Sequence, residues 1–443
     1  MRFGTDGVRG VANTQLTPED ALALGRAAAR VLGRGRWGIG TDTRLSGPML
    51  AAAVATGLAS EGAEVEVFGV VPTPGVAYWS QTEDRPAVVV SASHNPFEDN
   101  GLKLFARGGL KLSDAVQTAL EAEIEAVLGE SPDARGDRPV GVGVGSIGLG
   151  DPCGPYVDHL VASIGGRELG GARIVLDCAH GAASSIGPEV FGRLDAEVTA
   201  LHTSWDGSNI NAGCGSTHPE RLQREVVESG ASVGFAFDGD ADRVLAVDSE
   251  GRVIDGDQLM AIAAIDLAGR GLLVDDTVVV TVMTNLGFRH GMERAGLTVL
   301  ETNVGDRYVL QAMEAGGYVL GGEQSGHLIF RDAATTGDGV LAAVRIADVM
   351  SRTGLGLGAL ADAAMQRLPQ VLTNVGIAAP MPDVVERIAS AIADAEAVLG
   401  TSGRVLVRPS GTEALVRVMV EAVDQNQAAT LANTLAAAVA DLE

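Results

Sequence analysis

Three successive segments of this 443-residue chain repeat one pattern, in which short valine-rich strands alternate with alanine-rich helical stretches. Repetition on this scale constrains the fold more than any single motif, because each copy is one supersecondary unit that must bury its own apolar face. The first segment places strands at 37–41, 63–68 and 87–90, the second at 173–177, 196–201 and 232–237, the third at 277–283, 297–301 and 318–320. Each final strand runs into a polar loop: Ser91-Ala92-Ser93-His94-Asn95-Pro96, Asp238-Gly239-Asp240-Ala241-Asp242-Arg243 and Gly322-Glu323-Gln324-Ser325-Gly326-His327. Short strands alternating with helices predict mostly parallel α/β sheets, and ligands bind beyond the carboxyl ends of such strands, where all three loops lie.

From about residue 368 the pattern changes to a strand at 370–377, a helix at 383–399, strands at 404–407 and 415–422, and a final helix. The expected architecture is therefore three similar mixed or parallel-sheet α/β domains around a central cleft, plus a smaller C-terminal α+β domain. The glycine-rich stretch 141–154 and Pro369 mark boundaries. The domains are expected at 1–150, 151–250, 251–367 and 368–443, in keeping with roughly 150 residues or fewer per domain.

Charge narrows the class of partner. A formal net charge of -25 repels nucleic acid and anionic lipid, so neither is an expected partner. An acidic chain still binds phosphate where arginines, backbone amides or a metal ion converge. Cys153, Cys178 and Cys214 are odd in number and widely spaced, which suits a reducing compartment. The chain opens without an apolar leader and carries no uncharged run of about 18 residues, so a cytoplasmic location is expected.

In the second loop Asp238, Asp240 and Asp242 follow a strand at alternate positions and converge on one hard cation if the backbone curls, a freedom that Gly239 supplies. Oxygen-only donors favour Mg²⁺ over zinc, and Mg²⁺ commonly shares its shell with phosphate. An EF-hand is excluded, since its sixth position would be Arg243 and its twelfth Ser249. A solvated acidic turn without a ligand offers the same pattern.

The first loop sets the Ser93 hydroxyl beside His94 after an apolar strand, the arrangement of a rigidly held nucleophile or of a turn capping a helix. His94, adjacent in sequence, is poorly placed as a base toward Ser93, and no Gly-x-Ser-x-Gly elbow surrounds it. Lys103 and Lys111 are the only two lysines among 32 basic residues. A retained lysine suits acid–base work, because its ammonium can give up a proton where arginine cannot. Glu323, Ser325 and His327 suit sugar hydroxyls, although a glycine-flanked polar loop reads the same way. Arg408-Pro409-Ser410-Gly411-Thr412-Glu413, with Arg417 on the returning strand, offers backbone N–H groups, hydroxyls and two guanidinium forks as a phosphate cradle; a tight turn with solvated arginines is the alternative.

These four loops in this order, with the opening Phe3-Gly4-Thr5-Asp6-Gly7-Val8-Arg9-Gly10, resemble the α-D-phosphohexomutase superfamily across essentially the whole chain. The opening, with Gln324 between Glu323 and Ser325, is similar to the bacterial branch that acts on glucosamine phosphate. The resemblance implies an isomerase, an intramolecular phosphotransferase that moves phosphate between O6 and O1 of glucosamine and feeds amino-sugar nucleotide and cell-wall precursor synthesis; the glucose/mannose branch is the alternative. It implies a phosphoserine at Ser93, one Mg²⁺ per chain held by Ser93, Asp238, Asp240 and Asp242, and a sugar bisphosphate as intermediate or activator. Lys103 and His327 correspond to the family's acid/base residues, and Arg9, Arg243 and His94 to groups near the phosphoserine. Glu323, Ser325, Gly305 and Asp306 are expected at the sugar, and Arg408, Ser410, Gly411, Thr412 and Arg417 at the distal phosphate. The implied partner is a small sugar phosphate, with a homodimer as the possible assembly. His180, in Asp177-Cys178-Ala179-His180, departs from the family's usual asparagine. A metal-dependent phosphatase and a non-catalytic sugar-phosphate binder are the readings from other classes.

Overall fold

The structure is a computed structural model and describes residues 3–4, 7–130, 138–409 and 414–442. Its residues gather into two compact units, 1–283 with 297–362, and 284–296 with 363–443.

The first unit carries three sheets. The largest has the order Val8–Val11, Asp99–Ala106, Ala87–Val90, Arg36–Thr41, Glu64–Val70, Ile147–Leu149, with Leu110–Lys111 paired to Asp99–Ala106. The second has the order Val253–Ile254, Val244–Asp248, Val233–Phe237, Arg173–Asp177, Glu197–Leu201, and the third Thr298–Thr302, Thr277–Thr281, Leu320–Gly322, Leu328–Phe330. The repeated strand pattern is thus real, and all three copies share a feature the periodicity did not show. In each, a parallel strand passes through its polar loop into an antiparallel return: Ala87–Val90 into Asp99–Ala106, Val233–Phe237 into Val244–Asp248, Leu320–Gly322 into Leu328–Phe330. The return strand after Ser93 begins with Asp99, Asn100 and Gly101, residues that ordinarily mark a turn. The glycine-rich stretch read as a boundary also contributes the edge strand Ile147–Leu149, parallel to Glu64–Val70.

Local chemistry explains the helices flanking the first sheet. Pro18–Leu32 starts at a capping box, where Thr17 accepts from the Asp20 amide and Asp20 reaches back, with proline in the first turn. Its alanine-rich face is buried against Gly47–Ser60. The central strands Ala87–Val90 and Val233–Phe237 are buried at every position, so the loops leaving them start from fixed points.

The second unit is a three-stranded antiparallel sheet, Gln370–Gly376, Leu415–Glu421, Arg404–Pro409, with the helices Leu286–Arg294, Val384–Arg387, Ala389–Leu399 and Gln425–Ala440. Its core is aliphatic, built on Val384, Val416, Val418, Val420, Leu435 and Val439. This is the small α+β element expected from the sequence. No helix among the described residues is long and apolar enough to cross a membrane.

Candidate active site

Ser93 sits at φ +55°, a left-handed conformation uncommon for serine and typical of residues held by their surroundings. What holds it is a buried polar frame. Arg44, 1% exposed, donates from one terminal nitrogen to the carbonyls of Ser93 (2.9 Å) and Asn95 (2.8 Å), from the other to those of Pro96 and Asp99, and from Nε to Asp42. Asp42 in turn accepts from Ser91 Oγ, and Ser91 Oγ accepts from the Ser93 amide. Burial pushes the Asp42 carboxyl up, against the pull of the Arg44 guanidinium. Asn211 closes the frame, donating to the carbonyls of Ser93 (2.9 Å) and Asn95 (3.2 Å).

The Ser93 hydroxyl donates to Asp238 Oδ2 at 2.5 Å. Gly239 allows this approach, since a Cβ there would stand 2.6 Å from the Ser93 carbonyl oxygen. The left-handed residue that curls the acidic loop is Ala241, at φ +58°. The glycine is needed for close packing, and the expectation that it supplies the curl is corrected. His94 is nearer than sequence adjacency suggested, with Nδ1 3.2 Å from Ser93 Oγ and 3.1 Å from Arg243. Burial and then the cations Arg243 and Arg9 push His94 down to about 4, so its ring is neutral. Arg9 donates to the Ala92 carbonyl at 3.4 Å.

Asp238, Asp240 and Asp242 are all buried, and each brings a carboxylate oxygen to within 4.8 Å of the others. Oδ1 of Asp240 and Oδ1 of Asp242 are buried without a hydrogen-bond partner. Unsatisfied oxygens converging in the interior fit a hard divalent cation such as Mg²⁺. Thr73, which sequence reasoning missed, donates to Asp240 Oδ2 at 2.5 Å. Burial, then the charges of Asp242 and Asp240, hold the Asp238 carboxyl well above the usual range. Burial opposes ionisation of Asp242 too, but Lys103 and His327 outweigh it and hold that carboxyl low. Arg243 donates its amide to Asp238 Oδ1 at 3.2 Å; burial disfavours its charge, and the carboxylates restore it.

Lys103, 2% exposed, bonds Asp240 Oδ2 at 2.8 Å and Asp242 Oδ2 at 3.2 Å. Beyond it runs a line of alternating charge. His327 Nδ1 lies 3.8 Å from Asp242, its Nε2 3.7 Å from Asp306, and Asp306 pairs with Lys111 at 3.0 Å. The two lysines therefore end one network, which gives Lys111 a partner that the sequence did not show. Nε2 of His327 accepts the Gly337 amide at 3.0 Å, so the proton sits on Nδ1, facing Asp242. Burial opposes protonation of His327, but Asp242, Asp306 and Glu323 overcome it and raise its pKa.

Glu323 accepts the Gly305 amide at 3.2 Å, and burial raises its pKa. Ser325 is exposed. Gly326, at φ +91°, lies where a Cβ would stand 2.1 Å from the Val244 carbonyl oxygen, so the third loop rests on the strand leaving the second.

In the second unit Arg408 and Arg417 are direct cross-strand partners. Burial and then Arg417 lower the Arg408 pKa, and Arg408 Nε is buried without a hydrogen-bond partner. Like charges set opposite one another destabilise a sheet unless an anion lies between them. Ser410, Gly411 and Thr412 lie outside the described residues, as do Thr5 and Asp6 of the opening motif.

Known proteins match this arrangement throughout. Residues 1–129, 154–251, 255–368 and 372–438 match, in order, alpha/beta/alpha domains I, II and III and the C-terminal domain of phosphoglucomutase/phosphomannomutase. A phosphoglucosamine mutase of Frankia alni is 53% identical over 455 residues, covering 99% of this chain and 97% of the relative. A phosphoglucomutase/phosphomannomutase family protein of Burkholderia thailandensis superposes with a TM-score of 0.79 at 25% identity, over 99% of this chain and 97% of the other. An Aspergillus fumigatus N-acetylphosphoglucosamine mutase, solved with GlcNAc-6P and magnesium, gives a TM-score of 0.71 at 21% identity over 100% and 96%. With all four domain models matched in order along one chain, the protein belongs to the phosphoglucomutase/phosphomannomutase family.

Proposed function

We propose that the chain interconverts glucosamine 6-phosphate and glucosamine 1-phosphate through a phosphorylated Ser93 and a sugar bisphosphate. The carrying observation is the meeting of the Ser93 hydroxyl with Asp238 at 2.5 Å, beside two further buried carboxylates, Lys103 and Arg243. The choice of sugar rests on relatives named phosphoglucosamine mutase at 49–53% identity over nearly the full chain.

In this reading the sugar hydroxyl oxygen bonds to phosphorus as the bond from phosphorus to Ser93 Oγ breaks. The proton lost by the sugar enters the Lys103–Asp242–His327 network, which gives one proton to the departing Ser93 oxygen so that it leaves as a hydroxyl. That hydroxyl is the donor to Asp238 seen in the structure. The bisphosphate then reorients, and its other phosphoryl returns to Ser93 by the reverse step. Phosphoryl transfer asks chiefly for alignment and for positive charge on the equatorial oxygens. Arg9 and Arg243 supply that charge beside Ser93. A magnesium ion held by Asp238, Asp240 and Asp242, with an oxygen of the phosphoserine, would draw further charge from those oxygens. Arg408 and Arg417 clamp the phosphate that does not react, and Glu323, Ser325, Gly305 and Asp306 read the sugar.

The test is peptide mass analysis for phosphate on Ser93, followed by turnover of glucosamine, glucose and mannose 6-phosphates. Expected are a phosphorylated Ser93 and fastest turnover of the amino sugar. Equal or faster turnover of glucose or mannose phosphate would reassign the substrate, and continuous release of inorganic phosphate would replace the mutase with a phosphatase.

A further inference from the structure

A second convergence of metal-ligating groups lies outside the carboxylates around Ser93. Asp177 ends the strand Arg173–Asp177, and His202 follows the neighbouring parallel strand, whose Leu201 is the register partner of Asp177. Cys214 precedes the short turn Gly215–Thr217. One oxygen of Asp177, one ring nitrogen of His202 and Sγ of Cys214 lie within 4.8 Å of one another.

Asp177 is 0% exposed, yet its Oδ2 has no hydrogen-bond partner. Its Oδ1 accepts the Ala179 amide at 3.0 Å and stands 3.0 Å from His202 Nδ1, a contact without the alignment of a hydrogen bond. Asp177 Oδ2 and His202 Nδ1 are therefore brought to one buried point without a hydrogen-bond partner. His180 sets its ring edge-on to His202 at 5.1 Å, and its Nδ1 is also buried without a partner.

We propose that Asp177, His202 and Cys214 bind a zinc-like divalent ion, separate from the site formed by Asp238, Asp240 and Asp242. A thiolate, an imidazole and a carboxylate form a borderline-soft donor set, which suits zinc and disfavours magnesium. Bonds of about 2.0–2.3 Å to a tetrahedral ion separate donor atoms by roughly 3.3–3.8 Å, inside the 4.8 Å within which these three atoms lie. Three protein ligands leave the fourth position to water. The side chain of His202 is 25% exposed, which gives the ion a route in. Cys214 binds as a thiolate, so its thiol proton must be displaced. As the sulfur–metal bond forms, that proton leaves to solvent and nothing is oxidised.

The ion would act on the Ser93 loop through Asn211, which lies between His202 and Cys214 in the chain. The Asn211 amide donates to the Ala179 carbonyl at 2.9 Å, while its side chain grips the carbonyls of Ser93 and Asn95. A metal binding both ends of this connection would fix Asn211, and with it the loop that carries the hydroxyl. The site stands on geometry alone, whatever sugar the enzyme takes.

The test uses the full-length protein, stripped with a chelator and returned to buffer with excess Mg²⁺ to cover the aspartates. Zn²⁺ should then bind at one equivalent, and Co²⁺ should give the near-ultraviolet charge-transfer band of a thiolate ligand. Cys214→Ser should lose the band. His202→Gln, at a partly exposed side chain, should weaken Zn²⁺ by more than the roughly 10–100-fold that loss of a supporting group costs. Asp240→Asn should bind Zn²⁺ like the parent. No Zn²⁺ bound by the parent, unchanged affinity in His202→Gln, or loss of the ion in Asp240→Asn would each overturn the proposal.

Discussion

Ser93 Oγ and Asp238 Oδ2 are separated by 145 residues of sequence and by 2.5 Å in space, the hydroxyl donating to the carboxylate. Only an unmodified serine can make this bond. A phosphoryl group there removes the donor and brings about -1.5 to -2 charges toward Asp238, Asp240 and Asp242. Two unit charges 4 Å apart interact by about 4 kcal/mol at an effective dielectric constant near 20. Without a cation, the phosphorylated enzyme should therefore melt a few degrees below the unmodified one, at roughly 1 °C per kcal/mol for a chain of 443 residues. Mg²⁺ should raise the melting temperature of the phosphorylated form more than that of the other. Melting curves of both forms with EDTA and with Mg²⁺ check this, and equal shifts would contradict it.

Arg44 and Asn211 hold the same carbonyl oxygens from two sides, and they should fail differently. Arg44→Met leaves Asp42 buried without its cation, a loss of roughly 3–5 kcal/mol. Asn211→Ala removes two hydrogen bonds to the Ser93 loop, about 1–3 kcal/mol in all, with Arg44 still bonding both acceptors. Because Asn211 positions the loop without touching the sugar in the proposed reaction, its loss should lower kcat and leave KM nearly unchanged. Urea unfolding and steady-state kinetics separate the two effects.

Neither residue was legible in the sequence, and the reason is physical. The three polar loops stood out because each interrupts an apolar strand pattern with several functional groups at once. Lys103 stood out through the scarcity of lysine. An arginine that bonds main-chain carbonyls leaves no such trace, since carbonyls occur at every position and Arg44 is one basic residue among 32. Nothing in the sequence points to a role for Lys111, because its partner Asp306 lies 195 positions away. The acidic loop shows the limit of reading residue types. Glycine at 239 suggested a curl, whereas Ala241 makes the curl and Gly239 makes room for the Ser93 carbonyl.

Arg26 and Glu61 form a buried ion pair at 2.8 Å, with side-chain exposures of 3% and 2%, and Arg26 also bonds Glu130. Burial would raise the Glu61 pKa, but Arg30 and Arg26 outweigh it and hold it below its ordinary value. A carboxyl held low stabilises the fold above its unfolded pKa, and this stability is lost as pH falls through the folded value. Arg26→Met should cost roughly 1.5–3 kcal/mol at pH 7, because Glu61 and Glu130 lose one of their cations while Arg30 still pairs with both. The gap between variant and parent should narrow as the pH falls below the ordinary carboxyl range. Denaturant unfolding at a series of pH values checks it, and a gap independent of pH would refute the pairing as its cause.

Asp338 behaves in the opposite sense. It caps the helix Gly339–Thr353, accepting the Leu341 amide at 2.9 Å and the Tyr156 hydroxyl at 2.8 Å. Both donors favour the charged form, yet complete burial overrides them and pushes the carboxyl up to about 6 from an ordinary value of 3.8. Between those values the native state binds more proton than the unfolded chain, so this group's contribution to stability falls as pH rises from about 4 to 6 and is level above. Asp338→Asn removes the titration and can keep the helix cap, because the amide oxygen still accepts from Leu341. The stability of the variant relative to the parent should therefore rise across that window, by up to about 3 kcal/mol at 1.36 kcal/mol per pKa unit. The difference between their unfolding curves from pH 4 to 8 isolates this term from all other carboxylates. A flat difference would show that Asp338 is charged throughout.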